Sequence, residues 1–209
     1  MKIAVVAANG RSGSIFVKYA LSAGHQVRAG VYQNNTLTSH PNLVVVTCDA
    51  TNKDDIDKLI NDQDAVVSFI GHVKGSPAHV QTDAIKVISE VMSQKRITRF
   101  VSLTGTGVRF FGDNISIIDQ ILNAGIKIVD QARIQDGKDH VELLKKTNLD
   151  WTVIRVLKLQ NTQPKGFKLT THGPSKLVVS REEVAKAVLE VLRDHSFIRQ
   201  TPIISEPKD

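Results

Sequence analysis

Near its N-terminus the chain reads Ala7-Ala8-Asn9-Gly10-Arg11-Ser12-Gly13, an A-x-x-G-x-x-G turn. Glycines at this spacing let a backbone approach a diphosphate. A helix starting there offers N–H groups without acceptors and partial positive charge. Arg11 adds a full charge and Ser12 a hydroxyl, so the chemistry on offer is dinucleotide binding. Two glycines can also serve only a tight turn, and the flanking pattern decides between these readings. Ile3 to Ala8 reads as a buried strand and Ser14 to Ala23 as a helix ended by Gly24-His25. Gln26 to Tyr32 reads as a second apolar strand. Strand, helix and strand fit in about thirty residues, as a βαβ unit requires.

The elements that must hold this turn recur along the chain. Apolar runs at Ile3–Ala7, Gln26–Val31, Leu43–Thr47, Ala65–Ile70, Arg99–Leu103 and Trp151–Arg155 are predicted strands. Between them, Ser14–Ala23, Lys53–Asn61, Ala78–Gln94 and Gln135–Thr147 are predicted helices, with Ile85, Ile88, Val91 and Met92 on one helical face. The strands are continuously apolar rather than alternating, which points to a parallel sheet covered on both faces. The expected fold class is α/β, a single Rossmann-type domain over residues 1–209 with a doubly wound parallel sheet. Asn161 to Ser180 carries Pro164, Gly166, Gly173 and Pro174 and reads as loops with one or two small strands. Ser180 can cap a helix with Glu182 and Glu183 in its first turn and Val184, Val188, Val191 and Leu192 on its apolar face. Thr201 to Ser205 reads as a last edge strand. Residues 157–209 are therefore expected to form a small substrate-side cap and the last edge elements.

Composition excludes several function classes. A chain of 209 residues suits one such domain. No run of about 18 apolar residues reads as a membrane span. The chain opens on a strand rather than on a targeting segment, and Cys48 has no second cysteine to pair with, so a cytoplasmic protein is expected. Cys48 ends an apolar strand and reads as core. No Cys/His group has metal-ligand spacing, so no metal is expected. The net charge is +6, yet the basic residues are scattered and lack the interleaved aromatics of a base-stacking face. A basic surface that draws in phosphorylated ligands is the better reading than nucleic-acid binding. The expected partners are a dinucleotide and a small-molecule substrate, in a monomer or homodimer, with no membrane and no nucleic acid.

Further landmarks follow the glycine turn in order: Cys48-Asp49-Ala50, Ser68-Phe69-Ile70-Gly71, Phe100-Val101-Ser102-Leu103-Thr104, Lys138-x-x-x-Glu142, Asp150-Trp151-Thr152-Val153-Ile154-Arg155 and Ser180-Arg181-Glu182-Glu183-Val184-Ala185. Over nearly its whole length the chain resembles an atypical short-chain dehydrogenase/reductase of the NmrA-like, NAD(P)H-binding group, which includes biliverdin-IXβ/flavin reductase-like proteins. The resemblance implies that Asn9, Gly10, Arg11, Ser12 and Gly13 hold the diphosphate. It implies that Asp49, beside Ala50, accepts from the adenine amino group, although Asp49 also reads as a turn residue. Phe69, Ile70 and Gly71 would line the adenosine side. Ser102 and Thr104 would lie near the nicotinamide at a strand's carboxyl end, or else satisfy local backbone groups.

Cofactor choice is made after the second strand, where an acid favours the ribose hydroxyl and a base the 2′-phosphate. Val31-Tyr32-Gln33-Asn34-Asn35 carries neither. The family often has arginine at the place of Tyr32, and Arg11 could supply that charge from the glycine turn. The expected cofactor is NADP, with NAD as the other candidate. Short-chain reductases use Tyr-x-x-x-Lys, the lysine lowering the pKa of a proton-donating tyrosine. Lys138 stands at the lysine position, as a ribose ligand or an ordinary surface residue, but Ile134 stands where the tyrosine would be. The proton-donor candidates are then His140, with its near-neutral titration, Thr104 as an orienting hydroxyl, His172 in the cap, and solvent; His140 also reads as a packing residue. The expected function is NAD(P)H-dependent reduction of a conjugated acceptor such as a flavin, quinone or tetrapyrrole. A non-catalytic NAD(P)-binding redox sensor and an epimerase-like sugar-nucleotide enzyme are the alternatives.

Overall fold

The first strand, β1 (Lys2–Val6), shows why this sheet is buried on both sides. Ile3 and Val5 join one apolar cluster and Ala4 and Val6 the other, because successive side chains point to opposite faces. A strand covered on both faces must be apolar throughout. The computed structural model describes residues 1–73 and 75–207, so residues 208 and 209 of the expected cap lie outside it. The chain continues through α1 (Gly13–Ser22), β2 (Gln26–Val31), β3 (Leu43–Thr47), α2 (Lys53–Ile60), β4 (Ala65–Ser68), α3 (Val80–Lys95), β5 (Arg99–Gly105) and α4 (Ile117–Val129). It ends with α5 (Gln131–Lys145), β6 (Asp150–Val156), β7 (Lys158–Gln160), β8 (Lys168–Thr170), β9 (Val178–Ser180), α6 (Arg181–Arg193) and β10 (Ile203–Ser205).

Eight strands form one sheet in the order β3-β2-β1-β4-β5-β6-β10-β8, parallel except for the β10–β8 pair. The chain builds outward from β1 to β3, returns to β4 beside β1, and builds outward the other way. This is the doubly wound α/β arrangement, and its carboxyl edge between β1 and β4 is the switch point where ligands collect. One face packs on α1 and α6 through Phe16, Val17, Ala20, Val184, Val188 and Val191. The other packs on α2, α3 and α5 through Ile56, Leu59, Ile85, Ile88, Val141 and Leu144. Each such buried aliphatic side chain contributes about 1.5–3 kcal/mol of transfer free energy.

Two features depart from the sequence expectations. Thr201–Ser205 does not supply the outermost strand: β10 lies between β6 and β8, with Ile203 and Ile204 buried, and β8 is the edge. Helix α4 has no counterpart among the expected helices. Its polar Asp119 and Asn123 are buried, while Ile117, Ile118, Ile121 and Ile128 are exposed, so these four mark its outer face. Inside, Asn123 donates to Asp119 and Thr106, and Ser175 donates to Asp119 at 2.5 Å. This polar seam ties α4 to the end of β5 and to the loop before β9.

Local capping matches the residue types. Asn52 accepts from the Asp54 and Asp55 N–H groups at the start of α2. Ser180 and Glu183 form a reciprocal capping box on α6, as the serine and following acids predict. Helix α3 has no cap from its own His79. Instead Asp136, fully buried on α5, accepts from the Gln81 and Thr82 N–H groups, each at 2.9 Å. Among the described residues no helix is long and apolar enough to cross a membrane, and no group of three metal-ligating side chains occurs.

Candidate functional site

Two helices begin side by side at the carboxyl edge of the sheet. α1 leaves β1 there and returns the chain to the start of β2. α6 packs on α1 and delivers the chain to β10, which runs parallel to β6, so its N-terminus is also at that edge. The glycine turn lies at the first of these N-termini. Gly13 permits the close approach of α1 to β1: a Cβ there would lie 2.3 Å from the Ala7 carbonyl oxygen and 2.9 Å from that of Ala8. Ala7 adopts φ 56°, the left-handed region that glycine occupies at the first position of the usual turn. An L-residue there costs about 1 kcal/mol.

Above α1, the N–H groups of Arg11, Ser12 and Gly13 have no acceptor among the described residues, whereas those of Ser14 and Phe16 bond Gly10 and Ser12. The Ser12 hydroxyl makes no capping bond. Three free N–H groups and a free hydroxyl at a helix start form an anion cradle. Asn9 donates to the Asn34 carbonyl at 2.9 Å and so ties the turn to the segment after β2. In that segment Tyr32 is 61% exposed.

Asp49 sits beyond β3 and accepts from the Thr51 N–H and hydroxyl through one oxygen, at 2.9 and 2.7 Å. Its turn role is therefore real, and the other oxygen has no donor among the described residues. Ala50 is half-buried beside it. Phe69 stacks obliquely on Phe16 with centroids 5.2 Å apart, linking the end of β4 to α1. The Ile70 carbonyl accepts from the Gln81 amide at 2.8 Å, and Gly71 is open, with no atom near an added Cβ.

On β5, Ser102 and Thr104 face α5 at successive levels. Thr104, nearer the carboxyl edge, packs on Gly137, where a Cβ would fall 2.6 Å from the Thr104 hydroxyl. One level deeper, Ser102 shares a 2.9 Å hydrogen bond with His140 Nε2. His140 is fully enclosed, and its Nδ1 has no partner among the described residues. Burial holds its pKa down at about 4, against a smaller opposing pull from the Asp136 carboxylate, so the imidazole is neutral at ordinary pH. Lys138 is exposed on the same helix, and Ile134 packs toward Gly107. Thus Thr104 and α5 meet at the edge, while the expected proton donor His140 lies inside the protein. Cys48 is a core residue whose thiol is pushed up to about 12 by burial and by the nearby Asp55 and Asp49 carboxylates.

Sequence reasoning gave no role to four residues. His72, just past β4, donates from Nε2 to Asp136 at 2.8 Å. Burial alone would raise the Asp136 pKa, but hydrogen bonds from Thr82, Gln81 and His72 outweigh it and hold the carboxyl below its usual range. Asp136 stands four residues before the buried His140, a helical spacing that could have drawn attention to it. Arg181 opens α6, where the helix dipole disfavours a cation, and that broken local rule was its available signal. Farther along the edge, Arg155 donates to both Asp113 oxygens and to the carbonyls of Val108, Thr171 and Thr201, tying the segments after β5, after β8 and before β10 to the end of β6.

This geometry agrees with the family comparison: residues 7–195 match the family described as NAD(P)H-binding. None of the curated proteins matches the chain. Among solved structures, a wide-type short-chain dehydrogenase/reductase from Veillonella parvula in complex with NADP is 18% identical, with TM-score 0.80 over 99% of this chain and 94% of that one. A protein proposed to be an NADH-flavin reductase, from Streptococcus pneumoniae, is 22% identical, with TM-score 0.80 over 99% of this chain and 100% of that one. An oxidoreductase from Lactococcus lactis is 20% identical, with TM-score 0.80 over 100% of this chain and 92% of that one. At these identities the likeness establishes the fold.

Proposed function

The chain belongs to the NAD(P)H-binding family, of the atypical short-chain dehydrogenase/reductase type, and from that premise we propose that it is a cytoplasmic NAD(P)H-dependent reductase of a conjugated acceptor such as a flavin, quinone or tetrapyrrole. The observation that carries this reading is the anion cradle at α1 set beside a β5–α5 edge without a tyrosine. Gly10 to Gly13 would hold the diphosphate, the free Asp49 oxygen the adenine amino group, and Lys138 a ribose. Phe69 to Gly71 would line the adenosine side. NADPH is the proposed dinucleotide, since no acid follows β2 to repel a 2′-phosphate.

The bound dinucleotide supplies hydride; the chain supplies position and electrostatics. Thr104, held against Gly137, would orient the acceptor at the end of β5. Ile134 occupies the place one helical turn before Lys138 and cannot move a proton. His140, neutral and enclosed, serves in this reading to hold Ser102 and α5 together. The proton would then come from water, which suits an acceptor that spreads the incoming charge over a conjugated system. Carbonyl reduction, which needs an acid at the oxygen, fits less well.

The same two residues favour one second reading, a redox sensor that binds NAD(P) without turnover. Loss of NADPH absorbance with a panel of flavins, quinones and tetrapyrroles separates the two. Turnover with any member supports the reductase. Tight binding with no turnover across the panel refutes it in favour of the sensor.

A further inference from the structure

Among the described residues, the charged side chains buried toward the C-terminal end of the chain meet an opposite charge, Arg181 excepted. Arg155 meets Asp113, and Lys176 meets Glu183 at 3.0 Å. Arg181 is only 7% exposed, yet no carboxylate lies within 4 Å of it among the described residues. One amino group donates to the Asn161 side chain at 2.7 Å, and its buried Nε has no acceptor. The two acids beside it in the first turn of α6 are committed elsewhere. Glu182 accepts from Tyr19 of α1, and Glu183 accepts from Ser180, Lys165 and Lys176. The nearby charge is of the same sign: Arg11, in the glycine turn, also has no ion pair among the described residues. Burial, and after it the Arg11 charge, lower the Arg181 pKa. Arg11 and Arg181 stand at the N-termini of α1 and α6, which pack together and are joined by the Tyr19–Glu182 hydrogen bond, and two guanidinium groups placed there beside free N–H groups call for an anion.

We infer that Arg181 binds the diphosphate of the dinucleotide from the cap side, sharing it with Arg11 across the mouth of the glycine turn. This rests on the dinucleotide-binding reading proposed above. It places Arg11 on the diphosphate common to both cofactors rather than on the 2′-phosphate. It also gives the C-terminal cap a part in cofactor binding, through the β9–α6 junction. Before the ligand arrives the buried guanidinium is a cost to the fold, which the diphosphate relieves.

The test uses wild type, Arg181→Met and Arg181→Lys, each titrated with NADPH, NADH and inorganic pyrophosphate, and each melted without ligand. Arg181→Met should weaken NADPH and NADH by the same factor, about tenfold or more, and weaken pyrophosphate in parallel. Arg181→Lys should fall between, since it keeps the charge but not the fork. Without ligand, Arg181→Met should melt at or above wild type, because it removes an unpaired buried charge. A purely structural arginine would give the opposite, a lower melting temperature with unchanged affinities, and that result overturns the inference. So does a loss confined to NADPH, which would put Arg181 at the 2′-phosphate. If Arg181→Met does not fold, equal pyrophosphate affinities in wild type and Arg181→Lys overturn it, and a clear loss supports it. Wild type that binds pyrophosphate but neither dinucleotide would refute the cofactor reading while supporting the arginine pair as a diphosphate site.

Discussion

His140 should make this fold sensitive to mild acid. In the unfolded chain a histidine takes up its proton near pH 6.5, whereas inside the protein His140 does so only near pH 4. Between those values the unfolded state binds more protons than the folded state, so stability rises with pH across the window and is lost on descending through it. At 1.36 kcal/mol per pH unit the whole shift amounts to about 3 kcal/mol, a large share of a typical 5–15 kcal/mol stability. The carboxyl groups held below their usual range, Asp113, Asp136 and Glu183, also withdraw stability in acid, but only at and below the ordinary carboxylate range. The upper part of the window thus belongs to the histidines, to enclosed His140 and to His25, whose pKa burial and the N-terminal charge also lower, and the comparison with a His140 variant isolates the first. Urea unfolding followed by the fluorescence of the single tryptophan, Trp151, measures it. His140→Gln keeps a partner for Ser102 but cannot titrate. It should be less stable at neutral pH, yet show a flatter profile between about pH 6.5 and 4.5 than wild type. Parallel profiles for the two proteins would refute the enclosed, neutral imidazole.

Other outcomes follow from the same geometry. Ile134→Tyr places a phenol one turn before Lys138 and should confer activity on simple carbonyls; a folded, cofactor-binding variant without it would show a cavity unsuited to carbonyl reduction. Ala7→Gly relieves the left-handed backbone at φ 56° and should raise stability by up to about 1 kcal/mol, net of glycine's entropy, as read by chemical denaturation. Asp136→Asn should destabilise by about 2–5 kcal/mol, because one amide oxygen cannot serve His72, Gln81 and Thr82 together; an unchanged melting temperature would argue against Asp136 as the cap of α3.

What was legible in the sequence was local. β2 and β3 begin and end where their apolar runs do: β2 lies inside the sheet and needs its run, whereas β3 is an edge strand with Val44 and Val45 exposed, legible from its β-branched residues alone. The glycine turn and Ser180 could be read because each acts within three or four residues of itself. α4 could not, since Ile117, Ile118, Ile121 and Ile128 mark the outward face and its inward face is built on Asp119 and Asn123, whose partners are far along the chain. His140 was drawn toward the site by its nearness to Lys138. The helical period of Gly137, His140, Val141 and Leu144, all buried, points it inward instead. The cap that Asp136 of α5 gives to α3, and the placing of Arg181 near the start of α1, are made only by the finished fold, and short-range patterns do not carry them.

The place of β10 in the sheet imposes an order of assembly. It is hydrogen-bonded to β6 on one side and to β8 on the other, yet is synthesised after both. Until it emerges, β8 has no sheet to join, the Lys176 N–H lacks its acceptor on Ile204, and Arg155 lacks the carbonyls of Thr201 and Pro202. The βαβ unit carrying the glycine turn has by then been free of the ribosome for many residues. Between the synthesis of β8 and that of β10 lie about thirty residues, a few seconds at ordinary rates, during which the glycine turn is already formed and the strand that β8 pairs with is still missing. The docking of β10 closes that interval, and the last strand acts on the far side of the sheet as a latch for everything between β7 and α6.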